Sequence, residues 1–410
     1  MTALRVSTLL LFVSACVAPN VSVVPVSAAL ARPRTILMRG EWLAEAKAEL
    51  QQGNEELQAS LAVLRDSAES ALGAAPLSVM QKKRMPPSGN KHDFMSMAPY
   101  WWPDTTKPGG LPFVRRDGVV YPESRLDHDG LRLQKTIDRV EALALAHFLT
   151  GDARYSRKAA QDLRVFFLDT ATAMHPHLEY GQAVLGVNDG RGTGIIDTRD
   201  LPRLVDAVRL LDGAPGWTPT DSAAMVAWSW GYLKWLVQSK NGKEERAATN
   251  NHGTFYDAQL LALALHVGDT LFARTVVDSA RARIAFQIRA DGKQPLELER
   301  TRPLHYSVFN LDAFTMLAEM GRQVRADLWR FTAANSASIE KALRFVAPYA
   351  NTAVKFPAVD LTPVGTAIFL LPLRRASAAL RDAELIRALQ QLPWRERAYG
   401  ISRFAYPSVP

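Results

Sequence analysis

Residues 246–269 have the sequence RAATNNHGTFYDAQLLALALHVGD, which combines a strongly apolar helix with a polar start. The second half of the stretch is almost entirely apolar or small, which predicts a helix buried on most sides. Asn250, Asn251 and His252 stand directly before it, although asparagine is a poor helix former. One asparagine can cap the helix. A cap does not account for the second asparagine and the histidine. These three residues are therefore either an ordinary helix start or part of a functional site.

Helical periodicity extends along most of the chain, whereas strand-like alternation is scarce. Apolar residues three and four positions apart predict helices over residues 41–72, 131–149, 201–211, 221–238, 254–267, 271–288, 308–320 and 337–347. The stretches beginning at Leu143 and Leu261 both run from an apolar helix through His and Gly-Asp to an Arg-bearing helix. This echo suggests repeated helical hairpins, which form a solenoid or an α/α toroid. We predict an all-α fold with one domain over residues 35–410.

Two segments interrupt the helical pattern, residues 82–129 and 175–200, and both are rich in proline, glycine or aromatic residues. Loops of this length inside a compact domain are usually functional or disordered. Their aromatic and apolar content favours ordered loops.

The N-terminus, MTALRVSTLLLFVSACVAPNVSVVPVSAALARPR, has one early arginine, an apolar core and then small residues. This pattern predicts an export signal rather than a membrane-spanning helix. The signal covers residues 1–28, or it ends before Cys16 as in a lipoprotein with a lipid anchor on that cysteine. We therefore expect a periplasmic or secreted protein, or an outer-membrane lipoprotein. Cys16 is the only cysteine, so no internal disulfide is possible.

The charge distribution favours an acidic ligand over nucleic acid. Across 410 residues the formal net charge is +8, from 49 Lys and Arg against 41 Asp and Glu. The excess is spread along the chain without the dense basic run of a nucleic-acid-binding arm. We expect an acidic small or polymeric partner, no nucleic acid, and a monomer or weak oligomer.

A second polar group precedes another apolar helix in the stretch ERTRPLHY, residues 299–306. It brings Arg300, Arg302, His305 and Tyr306 together within seven residues. Taken alone, these side chains are typical of ordinary interhelix salt bridges and hydrogen bonds.

Aromatic residues cluster in the stretch APYWWPD, residues 98–104. Tyr100, Trp101 and Trp102 suit stacking against sugar rings, and they equally suit a core plug beneath a long loop.

Metal-compatible side chains occur in HPH, which contains His175 and His177, and in DHDG at residues 127–130. Neither has the spacing of a zinc or EF-hand site, so we interpret both as loops and expect no metal or cofactor.

Four sequence blocks together resemble the bacterial alginate lyase superfamily of polyuronate-cleaving enzymes. They are KHDFMSMAPYWWPDTTKPGGLPFVRRDG at 91–118, GRGTGIIDTRDLPRL at 190–204, NNHGTFYDAQLLALAL at 250–265 and ERTRPLHY at 299–306. The resemblance covers roughly residues 80–320. It implies an α/α toroid that cleaves β-1,4-linked uronate polymers, such as mannuronan, alginate or glucuronan, by β-elimination.

The resemblance also implies roles for individual residues. His252 and Tyr306 would be the catalytic pair, and Asn251 with an arginine near Tyr306 would bind the substrate carboxylate. Arg300 fits that arginine best, and Arg302 stays open. Substrate binding along the funnel is assigned by residue type and position to Asn250, Tyr100, Trp101, Trp102, Arg115, Arg116, Arg191, Arg302 and His305.

This chemistry needs the uronate carboxylate to be neutralised before its C5 proton is removed. Tyr306 suits proton transfer if neighbouring positive charge lowers its pKa. Where the C5 proton and the leaving oxygen share a face, Tyr306 alone would serve as base and then acid. Where they are opposed, His252 would be the base and Tyr306 the acid.

Two other functions fit parts of the same sequence. A glycoside hydrolase on a similar toroid needs two carboxylates flanking the bond. The available ones are Asp93, Asp104, Asp127, Asp197 and Glu299. A secreted acidic-polysaccharide-binding protein without turnover would keep only the aromatic residues and arginines.

Overall fold

The computed structural model describes residues 32–126, 128–393 and 400–407. The predicted export signal, Cys16 and Asp127 lie outside the described residues. Within the described part of the chain, no helix has both the length and the apolar character needed to cross a membrane.

Helices make up most of the described structure, which confirms the predicted all-α class. In chain order they are α1 Gly40–Gln51, α2 Glu55–Leu72, α3 Asp129–Thr150, α4 Ala153–Leu163, α5 Leu201–Leu210, α6 Pro219–Gln238, α7 Lys240–Arg246, α8 Asn251–Val267, α9 Thr270–Gln287, α10 Pro295–Leu298, α11 Pro303–Gly321, α12 Ile339–Val346, α13 Leu370–Leu380, α14 Ala383–Gln391 and a C-terminal helix, Gly400–Ala405.

The prediction of a single helix over residues 41–72 is wrong, because a turn separates α1 from α2. Gly53 has a φ of +87°, a left-handed conformation that glycine adopts without steric cost. The Asn54 side chain then accepts a hydrogen bond from the Leu57 backbone N–H at 3.1 Å and caps α2.

Helices α8 and α11 begin earlier than their apolar periodicity indicated. Helix α8 starts at Asn251 rather than Thr254, and α11 starts at Pro303 rather than Val308. Proline is favoured in the first helical turn because its missing N–H would have no partner there. His252 and Tyr306 consequently lie in the first turns of two long helices.

Alternate long helices pack side by side in a series. Helix α3 packs against α5, α5 against α8, α8 against α11, and α11 against α13. A further set packs beside these: α2 and α4 contact α3, α6 and α9 contact α8, and α12 contacts α11. Helix α8 is buried on all sides, with every residue from 253 to 265 buried. This repeated pairing agrees with the hairpin repeat predicted from the sequence.

Both long non-helical segments are ordered and carry four short strands: β1 Met95–Met97, β2 Trp101–Trp102, β3 Val114–Arg115 and β4 Tyr180–Ala183. Strands β1 and β4 pair in parallel, which joins the two segments, and β2 pairs with β3 in an antiparallel hairpin. The segments therefore form one continuous wall beside the starts of α8 and α11.

A buried carboxylate fixes the start of the described chain. Asp206 on α5 is fully buried, and its two oxygens accept hydrogen bonds from the backbone N–H groups of Ile36, Leu37 and Met38. The bonds from the Ile36 and Met38 N–H groups are 2.5 and 2.6 Å long. Backbone donors of an otherwise irregular segment are thus satisfied by one side chain.

We expect Asp206→Ala to lower the free energy of unfolding by about 2–5 kcal/mol, because it leaves three buried N–H groups without acceptors. Urea denaturation followed by circular dichroism measures the change. The matched control is Asp66→Ala at an exposed position of α2, which should change stability by no more than about 0.5 kcal/mol. Equal, small effects in both variants would contradict the role of Asp206.

His266 in the last turn of α8 makes the fold sensitive to acid. Its ring nitrogens are buried without a hydrogen-bond partner among the described residues. Burial, followed by the charge of Arg209, lowers the pKa of His266 to about 4. The unfolded chain, with a histidine pKa near 6.5, therefore binds a proton that the folded chain does not.

Stability from this residue should be fully present above about pH 6.5 and lost as the pH falls towards 4. His266→Leu removes the titrating group. Between about pH 6.5 and 4 the wild type should therefore lose roughly 2–3 kcal/mol more of its free energy of unfolding than the His266→Leu variant does. Denaturation midpoints at several pH values measure the difference. Parallel wild-type and variant curves would show that His266 does not titrate differently on folding.

Candidate active site

The starts of α8 and α11 open onto one cavity of about 680 Å³. Its remaining walls come from the two long non-helical segments and the end of α7. Long helices present a partial positive charge and free N–H groups at their N-termini, so two such ends in one cavity favour a bound anion.

The cavity lining carries an excess of positive charge. Six arginines face three carboxylates around it. The arginines are Arg115, Arg125, Arg191, Arg199, Arg300 and Arg302, and the carboxylates are Asp197, Glu244 and Glu245. An acidic ligand is therefore favoured over a neutral or cationic one.

The two asparagines at the start of α8 make different contacts. The Asn250 side chain accepts a hydrogen bond from the His252 backbone N–H at 3.3 Å and caps the helix. Asn251 donates its side-chain N–H groups to both oxygens of Glu297, at 3.0 and 2.8 Å, and its backbone N–H to the same carboxylate at 2.6 Å. The Asn251 donors are thus occupied by Glu297, and a contact to substrate stays a prediction for this residue.

Gly253 has a structural explanation. A Cβ at this position would collide with the Ala248 carbonyl and the Arg283 guanidinium. Arg283 donates to the Ala248 carbonyl at 2.7 Å and to Asp257 at 2.6 Å. The glycine therefore makes room for an arginine that fixes the turn before α8.

His252 is oriented by a carboxylate that sequence reasoning missed. Its Nδ1 lies 2.7 Å from Glu245 Oε1, and Glu245 on α7 is buried, with 3% of its surface exposed. A carboxylate accepts only, so Nδ1 carries the proton and Nε2 of the neutral ring keeps a lone pair. Glu245 lies in an ordinary charged stretch, GKEER, and no sequence signal distinguishes it.

Tyr306 is held between a phenol and a guanidinium. Its hydroxyl lies 2.8 Å from the Tyr100 hydroxyl, and Arg300 Cζ lies 3.8 Å from the centre of its ring. Burial raises the pKa of Tyr306, Tyr100 raises it further, and the Arg300 charge only partly opposes them. The expectation that neighbouring positive charge lowers this pKa is wrong for the free protein, because desolvation outweighs the charge.

Arg300 and Arg302 both line the cavity but differ in their partners. Arg300 donates from Nη2 to Asp117 Oδ1 at 3.1 Å and from Nε to Oδ2 at 3.4 Å. Arg302 has a buried Nε with no hydrogen-bond partner among the described residues. A guanidinium carries five N–H donors, so three of those of Arg300 have no partner among the described residues.

His305 lies beside both arginines. Its ring stacks on Phe309 with centroids 6.0 Å apart. Burial, then the charges of Arg302 and Arg300, lower the pKa of His305 to about 4, so its ring is neutral at pH 7.

Four of the residues predicted to bind substrate also line the cavity and come from the two non-helical segments: Tyr100, Trp101, Arg115 and Arg191. Arg191 Cζ lies 5.8 Å from the Trp101 ring centre, and its Nη2 donates to Gln182 Oε1 at 3.0 Å.

Trp102 and Arg116 do not line the cavity. The Trp102 indole N–H donates to the Val119 carbonyl at 2.9 Å, and Arg116 Cζ lies 5.0 Å from the Trp102 ring. Successive residues of a strand point to opposite faces, so Trp101 faces the cavity and Trp102 does not.

Comparison with known proteins agrees with this geometry. The family model for alginate lyase matches residues 78–356. The chain is similar to the crystal structure of an alginate lyase from Bacteroides ovatus, with 35% sequence identity, a TM-score of 0.85, and coverage of 90% of this chain and 99% of that one. No curated protein sequence matches the chain significantly.

More distant structures share the fold. Alginate lyase A1-III from Sphingomonas species A1 matches at 14% identity with a TM-score of 0.51, covering 84% of this chain and 94% of that one. A Tyr-to-Phe variant of alginate lyase A1-III, complexed with tetrasaccharide, matches at 14% identity with a TM-score of 0.56, covering 90% and 95%. These likenesses agree with the predicted α/α toroid. With the family match over more than half of its length, the chain belongs to the alginate lyase family of polysaccharide lyases.

Proposed function

We propose that this protein cleaves β-1,4-linked uronate polymers, such as poly-mannuronate, alginate or glucuronan, by β-elimination. One observation carries the proposal: a single cavity contains His252, Tyr306 and Arg300 from chain segments about fifty residues apart. The N-terminal sequence supports action in the periplasm or outside the cell.

Binding of the uronate carboxylate is assigned to the arginines at the start of α11. Arg300 lies over the Tyr306 ring, so a carboxylate on its free donors places the sugar beside the phenol. Arg302 adds a donor that has no partner among the described residues. Planar guanidinium groups bind carboxylates with two parallel hydrogen bonds, and the N-termini of α8 and α11 add to the positive potential.

Elimination then requires one base and one acid. The base takes the C5 proton, the electron pair forms the C4–C5 double bond, the C4–O4 bond breaks, and O4 takes a proton. His252 suits the base, because Glu245 holds Nδ1–H and would stabilise the imidazolium that forms. Tyr306 suits the acid, because its raised pKa keeps the phenol protonated at neutral pH.

The substrate's stereochemistry selects between two proton routes. Where the C5 proton and O4 lie on opposite faces, His252 and Tyr306 divide the roles as above. Where they share a face, Tyr306 takes the proton and returns it to O4, while Arg300 and Arg302 compensate the charge of the carboxylate. On this route the phenol must first release its own proton to water when substrate binds, against its raised pKa in the free protein.

The part of the cavity wall that the two non-helical segments form is suited to hold neighbouring sugars. Trp101 offers a ring face, and Arg115 and Arg191 offer charges for the carboxylates of adjacent residues of the polymer. Asn250 and His305 remain predicted contacts near the reacting sugar. Trp102 and Arg116 would bind substrate only if the chain extends past the cavity.

A glycoside hydrolase is less well supported by the same cavity. Of the carboxylates considered from the sequence and described in the structure, only Asp197 lines it. Asp197 accepts hydrogen bonds from Ser96 at 2.5 Å and from Gln182 at 3.1 Å. Glu245 is committed to His252. Glu244 accepts a hydrogen bond from the Gly192 backbone N–H at 3.2 Å. Each carboxylate of the described cavity lining thus has a hydrogen-bond donor within the protein, which does not favour a pair that flanks a bond.

We expect the purified protein to raise the ultraviolet absorbance of at least one of poly-mannuronate, alginate and glucuronan, as C4–C5 unsaturated uronate forms. Tyr306→Phe should reduce this rate about 10²–10⁴-fold or more on every substrate, because the phenol transfers a proton on either route. His252→Ala should spare more activity on substrates whose C5 proton and O4 share a face.

Tyr349→Phe is the matched control, since this tyrosine lies outside the cavity lining and should keep wild-type activity. New reducing ends without absorbance would mean hydrolysis, and binding without either product would mean a carbohydrate-binding role. Equal, mild losses in the Tyr306 and His252 variants would contradict their assignment as the catalytic pair.

A further inference from the structure

A cluster of two histidines and one aspartate lies outside the cavity described above. His175 Nδ1 and His177 Nε2 lie 2.6 and 3.0 Å from the same oxygen of Asp93. The three candidate ligand atoms all lie within 4.8 Å of one another. Sequence reasoning interpreted HPH as a loop, because Asp93 is more than eighty residues away in the chain.

We propose that Asp93, His175 and His177 bind a zinc ion or a similar divalent transition metal. Two imidazoles and one carboxylate are a common ligand set for such metals, whereas calcium and magnesium prefer oxygen ligands. Ligand atoms in a tetrahedral zinc site lie about 3.3–3.5 Å apart, given bonds of about 2.0–2.2 Å. To admit the ion, the two contacts from histidine to Asp93 need to lengthen by less than about 1 Å, and the two histidine nitrogens, which lie within 4.8 Å of each other, need to reach the same spacing.

The surroundings of the cluster suit a metal site. Asp93 is buried, and its other oxygen accepts a hydrogen bond from the Ser88 hydroxyl at 2.6 Å, which orients the carboxylate. The His175 side chain is 44% exposed, so an ion can enter and a water can fill the fourth position. Metal binding through His177 Nε2 places the ring proton on Nδ1, so the long 3.4 Å contact in which Nδ1 accepts from the Glu179 backbone N–H is lost.

The position of the cluster gives the ion a structural task. Asp93 comes two residues before β1, and His177 comes three residues before β4. Met95 pairs with Tyr180 in this parallel pair, so the cluster lies at the common entrance of both strands. Strand β1 leads to Tyr100 and Trp101, and β4 contains Gln182, which holds Arg191. A bound metal would therefore join the two segments that build the substrate-binding wall.

Metal uptake by the chelator-treated full-length protein tests the proposal. We expect one equivalent of zinc to bind, and cobalt(II) to give the visible absorption of a four-coordinate site with nitrogen and oxygen ligands. His175→Ala and Asp93→Asn should each weaken zinc binding at least tenfold. His147→Ala removes a histidine whose ring nitrogen Nδ1 lies 3.0 Å from the Asp152 carbonyl, away from the cluster in the chain, and this variant should bind zinc as the wild type does.

Hydrogen–deuterium exchange gives a readout that is independent of lyase activity. Zinc should slow amide exchange in residues 91–97 and 175–183 of the wild type but not of the His175→Ala variant. The His175 side chain is exposed enough for its removal to leave the fold intact. Failure of the wild type to bind zinc, or full binding by His175→Ala, would show that the three side chains form hydrogen bonds only. Binding without slower exchange in these residues would overturn the role in joining the two segments.

Discussion

The contact between Asn251 and Glu297 holds the two halves of the active site together. Glu297 is fully buried on α10, and Asn251 donates three hydrogen bonds to its carboxylate. Burial raises the pKa of Glu297, and these bonds offset part of that effect. Breaking a buried polar pair of this kind costs about 3–5 kcal/mol, because a buried group is left without its partner. The first turn of α8 is thereby tied to Glu297, which stands three residues before Arg300 in the chain.

The cavity combines strong positive potential with groups that stay neutral. Arg300 and Arg302 keep their charges, while burial holds His305 neutral and Tyr306 protonated. This arrangement assigns carboxylate binding and proton transfer to different residues. Cations and helix N-termini bind the carboxylate, and neutral groups beside them move protons. Glu245 also lines the cavity, and its carboxylate hydrogen-bonds to His252 Nδ1.

Local sequence patterns were sufficient for much of this structure. The all-α class, the buried helix α8 and the approach of NNH to HY follow from periodicity, helix-start residues and the family resemblance. Pairing partners far apart in the chain were not predictable. Glu245, Asp117 and Glu297 stand in ordinary charged stretches, and only the packing of α7, α10 and the β2–β3 hairpin brings them to His252, Arg300 and Asn251.

Where the structure differs from what the sequence pattern indicated, the differences have physical causes. Trp102 and Trp101 are equivalent in the sequence, yet the alternation of a strand sends them to different faces. The pKa of Tyr306 shifts upward because the side chain is buried, and no local sequence pattern reports burial. Helix α11 begins five residues before its apolar stripe, because proline starts a helix without needing an apolar neighbour.

A crystal structure of Tyr306→Phe with a bound oligouronate tests the proposed active site directly. We expect one sugar carboxylate within about 3.2 Å of the Arg300 or Arg302 guanidinium. The same sugar should bring C5 and the glycosidic oxygen within about 3.5 Å of His252 Nε2 or the residue 306 ring edge. An oligosaccharide bound outside this cavity, or one whose carboxylates contact neither arginine, would contradict it.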